Sequence, residues 1–305
     1  MSEAVISVRD LRKSYGGLEA VRGIDLEVRR GEVFAFLGPN GAGKTTTTEI
    51  LEGYRERGGG EIEVLGEDPA GAGRAWRERI GIVLQQNKLD PYLTVRESLA
   101  LYAGYYSSPR PVDEVIELVG LSGKAEQRTN KLSGGQQRRL DVGIALVGDP
   151  ELLFLDEPTT GFDPSARRQA WRIIAGLRDL GKTVFLTTHY MDEAQFLADR
   201  AAIIVAGRII AEGRPDKLGR ETGADTEIRF RLPAGVTRAE LPLHPLGDDG
   251  DRMVTIRTGE PVQALNELTG WALRENVELA GLDVGRRSLE EVYLELTGEA
   301  EEEAE

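Results

Sequence analysis

Three short segments of this chain carry residues whose types and spacing could do phosphate chemistry. Residues 38–45 read GPNGAGKT and fit the pattern G-x-x-x-x-G-K-[ST], in which backbone N–H groups and a lysine bind phosphates. Residues 132–136 read LSGGQ, and Asp156 and Glu157 follow an apolar run. The first segment predicts a bound nucleoside triphosphate, and the acidic pair offers groups that its hydrolysis would use.

The elements around the first segment are those that a phosphate-binding loop needs. Val33–Leu37 is a continuous apolar run, typical of a strand buried on both faces of a parallel sheet. Gly38 interrupts this run, and a helix is predicted from Thr45 to about Leu51. The start of that helix carries roughly half a positive charge, to which Lys44 adds a full one. A glycine-rich turn could match the pattern by accident, but the order of strand, loop and helix argues against that alternative.

The acidic pair lies where ligands bind in parallel sheets. Residues 152–155 form another apolar run, which predicts a buried strand, and ligands lie beyond the carboxyl ends of such strands. One carboxylate could then hold Mg²⁺ while the other orients or deprotonates the attacking water. Taken alone, Asp156 and Glu157 could equally be two solvated acids that end a strand. The phosphate-binding pattern upstream favours the chemical interpretation.

The segment LSGGQ predicts the beginning of a helix. Ser133 and Gln136 have the spacing of a capping box, and apolar residues follow at Leu140, Ile144 and Val147. An ordinary capped helix explains this pattern, but a helix N-terminus with two glycines is also a phosphate site. Both interpretations place backbone N–H donors at the same position.

Together, these segments resemble the nucleotide-binding subunits of ABC transporters, whose signature is LSGGQ. The segments TTHYMDEA at 187–194 and SLEEVYLELTG at 288–298 further resemble daunorubicin-resistance-type exporter ATPases. The resemblance covers nearly the whole chain. It implies an α/β fold, a P-loop NTPase cassette with a mixed sheet core, a helical subdomain and a small C-terminal α/β extension.

The resemblance also implies roles for single residues. The catalytic residues would be Glu157, His189 and Gln85, with His189 at the γ-phosphate and Gln85 at Mg²⁺ or the attacking water. The ligands of Mg²⁺ would be Thr45, Gln85 and Asp156. ATP would be bound by Tyr15, Gly38, Pro39, Asn40, Gly41, Ala42, Gly43, Lys44, Thr45, Thr46, Ser133, Gly134, Gly135, Gln136 and Asp163.

Two of these assignments depend on the family. Tyr15 matches the aromatic residue that stacks on adenine, whereas without the resemblance it would be interpreted as an aromatic residue at a strand edge. Relatives usually read Ser-Gly-Leu-Asp after the acidic pair, but residues 160–163 read TGFD, so Asp163 is kept and Phe162 replaces a smaller leucine. Because this loop crosses the dimer interface in the family, the change puts in doubt how two nucleotide sites would communicate.

Composition is consistent with the motifs and argues against several classes of protein. The chain has 305 residues, enough for a large core and more than one domain, and 40% of them are apolar. No apolar run is long enough to span a bilayer, and no signal-peptide pattern opens the sequence. The absence of cysteine excludes disulfides and cysteine-ligated metals and fits a reducing cytoplasm. A net charge of -14 argues against binding to nucleic acid or anionic lipid by charge.

The predicted organisation is a catalytic domain, an extension and a tail. An ABC ATP-binding domain is expected over residues 1–218, with a helical subdomain at about 87–148. A C-terminal α/β extension is expected over residues 219–298. Residues 299–305 are almost all acidic, which predicts a solvated, disordered tail.

Local patterns support this organisation. In the helical subdomain, Thr94 is expected to cap a helix, and three tyrosines are expected to pack in its core: Tyr102, Tyr105 and Tyr106. In the extension, residues 226–232 alternate like a half-buried strand, Pro261 opens a helix, and Ser288 begins a capping box.

The resemblance implies a function as well. The chain would be an ATP-binding and ATP-hydrolysing subunit that powers a separately encoded transmembrane permease, an exporter of drugs, antibiotics or lipids. Two copies would form a head-to-tail homodimer that holds each ATP between the Lys44 loop of one copy and the Ser133 segment of the other. The protein would lie in the cytoplasm on the inner face of the cell membrane, through its permease, without direct contact to nucleic acid.

An alternative from another class is a soluble ABC-type ATPase that clamps nucleic acid or the ribosome. Lys44 and Ser133 lie too close in sequence for the long coiled coil of chromosome-type relatives. Ribosome-type relatives carry two cassettes, whereas one phosphate loop is present here. A regulatory ATP-binding module without turnover is disfavoured by the presence of Glu157 and His189.

Overall fold

The computed structural model describes residues 3–84, 89–218, 226–233, 235–244, 252–286 and 293. These residues belong to two compact units, of which the first runs to Asp216 and the second begins at Lys217. Each unit has its own hydrophobic core.

The first unit is built of strands and helices whose bounds agree with the predicted runs. The predicted strands at 33–37 and 152–155 and the helix after the glycine-rich loop are all confirmed. In chain order the elements are β1 Ala4–Tyr15, β2 Leu18–Arg29, β3 Val33–Leu37, α1 Lys44–Leu51, β4 Gly59–Val64, α2 Arg74–Arg77, β5 Ile80–Val83, α3 Val95–Ala103, α4 Val112–Leu118, α5 Gly134–Leu146, β6 Leu152–Asp156, α6 Pro164–Asp179, β7 Thr183–Thr188, α7 Met191–Leu197, β8 Arg200–Val205 and β9 Arg208–Gly213.

A mixed central sheet in the order β5-β6-β7-β3-β8-β9 brings the candidate segments together. All of its strands run parallel except β9, which is antiparallel to β8. β3 and β7 are buried along their whole length, as expected for strands covered on both faces. Leu37 pairs with Thr188, and Asp156 pairs with Thr187. The loops that follow β3, β6 and β7 therefore begin side by side at one edge of the sheet.

A second sheet, in the order β2-β1-β4, is antiparallel and shares its core with the central sheet. The rings of Phe34 and Phe185 stack in that core with 5.9 Å between their centroids. β1 begins at Ala4 and ends at Tyr15. This strand end is what places the Tyr15 ring.

The segment between β5 and β6 is helical, as predicted. α3 begins after Thr94, whose hydroxyl accepts a hydrogen bond from the Glu97 N–H at 3.1 Å in a capping box. α5 begins after Ser133, which forms the predicted capping box with Gln136. Among the helices of the described residues, none has the length and apolarity needed to cross a bilayer.

The prediction that Tyr105 packs in the core of this helical segment is wrong. Its side chain is 63% exposed, whereas Tyr102 and Tyr106 are partly buried. α3 ends at Ala103, so the helical period that would have turned Tyr105 inward does not continue to it.

The second unit is a small α/β layer. It contains β10 Thr226–Arg231, β11 Met253–Thr258, α8 Pro261–Arg274 and β12 Asp283–Arg286, with an antiparallel sheet in the order β11-β10-β12. Ile228 and Phe230 of β10 pack with Leu268 and Trp271 of α8, which confirms the predicted inward face and the helix opened by Pro261. The capping box predicted at Ser288 and the tail predicted at 299–305 lie outside the described residues.

Candidate nucleotide site

The loop between β3 and α1 is shaped by glycines that approach other backbone segments. A Cβ atom on Gly38 would lie 2.3 Å from the Ile204 carbonyl oxygen, and one on Gly43 would lie 2.5 Å from that of Ala20. Gly43 also has a φ of 107°, which L side chains rarely adopt. Glycine is therefore required at both ends of the loop by neighbours that cannot move aside, because they are main chain.

Lys44 lies at the first position of α1 and points back into this loop. Its Nζ donates to the carbonyl oxygens of Gly38 at 2.7 Å and Pro39 at 3.1 Å. Burial lowers the pKa of the Lys44 ammonium, while the nearby carboxylates of Glu157 and Asp156 oppose that shift. The ammonium therefore lies beside the N-terminus of α1. An anion bound there would compete with the two carbonyl oxygens for the hydrogen bonds that the ammonium donates.

The end of β6 presents the two carboxylates of the acidic pair. The hydroxyl of Thr187, on neighbouring β7, donates to Asp156 Oδ1. The backbone N–H of Glu157 donates to the Thr187 carbonyl and hydroxyl oxygens, both at 3.1 Å. Glu157 has a φ of 44°, a strained conformation for a residue with a side chain. One residue of the adjacent strand therefore holds both acids at the sheet edge.

His189, directly after β7, contacts the second of these acids. Its Nδ1 atom lies 3.1 Å from Glu157 Oε1, and Glu157 Oε2 accepts a hydrogen bond from the Thr160 hydroxyl at 3.1 Å. The Tyr190 ring packs against the imidazole with 4.1 Å between centroids. The structure thus brings together Glu157 and His189, which are far apart in sequence.

These residues surround a cavity of about 200 Å³. Ala20 and both acids line it beside the glycine-rich loop. The loop and helix residues in its wall are Asn40, Gly41, Gly43, Lys44, Thr45 and Thr46. Its wall offers N–H donors, one ammonium, two threonine hydroxyls and two carboxylates, a donor set suited to a polyphosphate with its cation.

Ser133 and Asp163 lie elsewhere, along a second and larger cavity of about 1070 Å³. Asp163 caps α6, where its Oδ1 accepts hydrogen bonds from the N–H groups of Ser165 at 2.8 Å and Ala166 at 3.0 Å. The lining residues from the motifs are Ser133, Gly134, Gly135, Gln136, Glu157, Phe162 and Asp163. Glu157 is the residue that lines both cavities.

Tyr15 and Gln85 complete the predicted set. The Tyr15 side chain is exposed at 38%, with the Arg55 guanidinium 5.3 Å and the Lys13 ammonium 5.4 Å from the ring centroid. Both cations lie over the ring, which stays partly open to solvent. Gln85 lies outside the described residues, one position beyond Leu84.

Sequence reasoning missed Arg138, which lies on α5 and is almost completely buried. Its guanidinium donates to the carbonyl oxygens of Asp156 at 2.7 Å and Pro158 at 3.1 Å, and also to that of Leu84. Burial lowers the pKa of this group, so its charge depends on those carbonyls for solvation. The residue follows the LSGGQ segment closely, but its hydrogen bonds near the acidic pair go to main-chain atoms, which no side-chain pattern reveals.

Sequence reasoning also missed Glu52, which directly follows α1. This side chain is 6% exposed. Burial raises the pKa of Glu52 to about 8, and the negative charges of Asp156 and Glu49 add to the shift. A buried acid with a raised pKa therefore lies at the C-terminal end of α1, close enough to Asp156 to be affected by its charge.

Comparisons with known proteins agree with this geometry. Residues 21–160 match the ABC transporter family, and residues 226–288 match the C-terminal domain of ABC transporter domain-containing protein-like sequences. The daunorubicin resistance ATP-binding protein DrrA3 of Streptomyces coeruleorubidus is 38% identical, over 98% of this chain and 98% of its own. The Nod factor export ATP-binding protein I of Rhizobium sp. (strain N33) is 39% identical, with 98% of both chains covered.

The chain belongs to the ABC transporter ATPases. A dimeric structure of an ATP-binding cassette in a post-hydrolysis state, bound to ADP and Pi, aligns with a TM-score of 0.61. It is 26% identical and covers 68% of this chain and 98% of that one. As a member of this family, the protein binds ATP and hydrolyses it. The fold predicted from the sequence and the ATPase activity that the resemblance implied are both confirmed.

The first cavity of this ATPase also fits a magnesium ion. Thr45 and Asp156 offer a hydroxyl and a carboxylate, which are the hard oxygen ligands that Mg²⁺ prefers. Two carboxylates face one ammonium there, so the wall carries an excess negative charge. A bound cation would balance this negative charge, which would otherwise repel a polyphosphate.

Proposed function

We propose that this ATPase powers the export of small molecules through a separate transmembrane permease. The relatives that cover nearly all of this chain are named for daunorubicin resistance and for Nod factor export. A drug, an antibiotic or a lipid-like molecule is therefore the proposed substrate class. Export relatives favour this function over a clamp on nucleic acid or the ribosome, as does the charge of -14.

The observation that carries the proposal is the division of the ATP-binding residues between two cavities. The Lys44 loop lines one cavity, and the N-terminus of α5 behind Ser133 lines the other. A nucleotide bound at Lys44 lacks the Ser133 donors of its own chain. A second copy arranged head to tail would supply them, and the dimeric cassette structure supports such an arrangement.

Within such a dimer, different residues at the sheet edge would bind the phosphates, hold the metal and accept the proton. Lys44 and the N–H groups of the loop would bind the β- and γ-phosphates, and Thr45, Asp156 and Gln85 would hold Mg²⁺. The metal would neutralise charge on the phosphates. Glu157 would accept a proton from water as the water oxygen bonds to the γ-phosphorus. The bond from that phosphorus to its bridging oxygen then breaks and releases ADP.

His189 and Tyr15 would act on the two ends of the nucleotide. The imidazole, held by Glu157 Oε1 at 3.1 Å, would contact the γ-phosphate. The exposed Tyr15 ring would stack on the adenine. Ser133, Gly134, Gly135, Gln136 and Asp163 would close the site from the second copy.

The permease would dock on the helical segment between β5 and β6. Tyr92, Leu101 and Tyr105 of this segment are exposed at 76%, 52% and 63%. Large exposed side chains of this kind are typical of protein interfaces. The protein would then lie on the cytoplasmic face of the cell membrane, with Gln85 linking the dock to the nucleotide.

Glu157→Gln tests the enzymatic part of this proposal. The amide keeps the shape of the side chain but cannot accept a proton, so we expect turnover to fall by about 100-fold or more while ATP still binds. The unhydrolysed nucleotide should produce an ATP-dependent dimer in light scattering. Turnover at the wild-type rate would contradict the role of Glu157 as the base.

Coexpression with the neighbouring permease tests the transport part. We expect the ATPase to copurify with that permease in detergent, and a Tyr105→Ser variant to copurify less while it still binds ATP. A Leu18→Ser variant is the control, because it removes a large exposed side chain outside the dock and outside the proposed nucleotide site. Copurification with ribosomes or DNA instead would favour the clamp.

A further inference from the structure

Glu193, in the first turn of α7, is a completely buried acid that the proposed chemistry does not use. Its exposed fraction is 0%. Burial raises the pKa of its carboxyl group, while hydroxyl and indole donors oppose the shift. Burying an acid destabilises the folded state unless the acid is hydrogen-bonded, so the hydrogen-bond partners of Glu193 indicate its role.

One oxygen of Glu193 joins segments that carry the catalytic machinery. Oε1 accepts hydrogen bonds from the Thr159 hydroxyl at 2.7 Å and from the Trp171 indole N–H at 3.0 Å. Thr159 lies two residues after Glu157, and Glu193 itself lies four residues after His189.

Among the residues that the structure describes, none provides a hydrogen bond to the other oxygen of Glu193, which is buried. An unsatisfied buried polar atom is destabilising, and an apolar side chain of similar size is often as good for stability or better. Stability alone therefore does not account for an acid at this position. Its bond to Thr159, two residues after Glu157, gives a different reason.

α6 also contacts the segment around His189 through a second residue, Arg167. The Arg167 guanidinium lies 4.2 Å from the centroid of the Tyr190 ring, which itself packs against the His189 imidazole. Arg167 also forms an ion pair with Asp192 at 3.5 Å. The segment around His189 is thus held against α6 at Tyr190 as well as at Glu193.

We propose that Glu193 is a positioning residue that sets the distance between Glu157 and His189. Its Oε1 atom ties the loop after Glu157 and α6 to α7, which begins two residues after His189, so the 3.1 Å contact between His189 Nδ1 and Glu157 Oε1 depends on it. This inference rests on the proposed roles of Glu157 and His189. Because α6 directly follows its capping residue Asp163, which lines the second cavity, the same tie connects His189 to the loop that would face the other copy.

Two substitutions of Glu193 test the proposal in the full-length protein. Glu193→Met removes the acceptor at similar volume, and we expect kcat to fall about tenfold or more with the Kd for ATP unchanged in calorimetry. Glu193→Gln keeps a carbonyl oxygen for Thr159 and Trp171, so it should retain most of kcat. Gln195→Met on the exposed side of α7 is the matched control and should leave kcat unchanged.

A purely structural role predicts a different pattern. Both Glu193 variants would then change thermal stability without changing the kcat of the folded protein, and that result would overturn the proposal. Thr159→Val provides a second test if Glu193→Met does not fold. It removes the hydroxyl that donates to Glu193 while keeping the shape of the side chain. It should lower kcat without changing ATP affinity, and a wild-type kcat would overturn the proposal.

The background of Glu157→Gln separates this inference from the proposed function. If Glu193 acts through Glu157, adding Glu193→Met to Glu157→Gln should lower kcat no further. A further fall of about tenfold would contradict action through Glu157. Wild-type turnover by Glu157→Gln alone would instead overturn the assignment of Glu157 as the base. The change in kcat caused by Glu193→Met in the wild-type background is a separate measurement and does not depend on that result.

Discussion

At the scale of single residues, the charges around the phosphate-binding loop decide what the site can do. Lys44 is a buried cation that donates to two carbonyl oxygens within its own loop. Glu157 is held in a strained conformation by a residue of the adjacent strand. Glu52 is a buried acid at the end of α1. Burial lowers the pKa of Lys44 and raises that of Glu52.

Lys44→Ala is expected to lose most of the affinity for ATP. The substitution removes the one ammonium aimed at the phosphates, and a hydrogen bond to a charged group is worth about 1.5–3 kcal/mol, or roughly 10- to 100-fold in Kd. Isothermal calorimetry measures the change. Lys217→Ala, an exposed lysine of the same charge, is the control. Equal ATP affinity in wild type and Lys44→Ala would contradict the assignment of the loop.

Glu52 makes the stability of the nucleotide-free protein depend on pH. The pKa of Glu52 is raised from 4.5 to about 8 in the folded protein, so the folded state keeps a proton that the unfolded state releases. Its contribution is complete below pH 4.5 and is lost as the pH rises through about 8. Each pKa unit of difference is worth about 1.4 kcal/mol of unfolding free energy.

Glu52→Gln removes this dependence. Because the amide is neutral at every pH, we expect the variant to be more stable than the wild type at and above pH 8, by about 1 kcal/mol or more. Urea unfolding at pH 6 and pH 8.5 measures the difference. Glu61→Gln, an exposed acid, should follow the wild type at both pH values. Parallel curves for Glu52→Gln and wild type would contradict the raised pKa.

At the scale of elements, the site is made by the ends of three adjacent parallel strands. β3, β6 and β7 end at Leu37, Asp156 and Thr188, and their register places these ends side by side. The loops that follow provide the ammonium, the carboxylates and the imidazole. Because the backbone of β8 and β2 lies against the first loop, its glycines are part of this arrangement.

Gly38→Ala is expected to disturb the first loop. The added methyl group would lie 2.3 Å from a main-chain oxygen of β8, and overpacking of this kind costs about 1–3 kcal/mol. Both the melting temperature and the ATP affinity should fall. Gly176→Ala, in the middle of α6 with open space around it, should instead stabilise the protein by about 0.5–1 kcal/mol. Differential scanning calorimetry of the two variants measures the change in melting temperature. A Gly38→Ala variant as stable as the wild type would contradict the close approach of Gly38 to the Ile204 carbonyl oxygen.

At the scale of the whole molecule, the chain separates nucleotide chemistry from a second unit that has its own core. All predicted site residues precede Lys217. We expect deletion of residues 219–298 to leave ATP affinity unchanged while lowering the yield of the complex with the permease. Calorimetry and copurification measure the two effects. If ATP affinity fell with the deletion, the second unit would take part in binding nucleotide.

Much of this molecule could be predicted because its signals are local. The apolar runs, the glycine-rich loop and the capping boxes at Thr94 and Ser133 each depend on residues within a few positions of one another, and the structure confirms them. The turn after α3 was not predicted, and Tyr105 is exposed as a result. The roles of the individual site residues and the boundaries at 218 and 298 stay predictions.

The sequence by itself determined which elements form and which residues stand at their ends, because helix and strand periods and turn chemistry act over short distances. Only the tertiary structure decided which of those ends meet. The order β6-β7-β3 brings Glu157 to His189, and the packing of α5 and α7 brings Arg138 and Glu193 to the loop after β6. These partners are backbone carbonyls and hydroxyls far away in the chain. A linear pattern cannot encode them, because which segments lie next to each other depends on how the whole core packs.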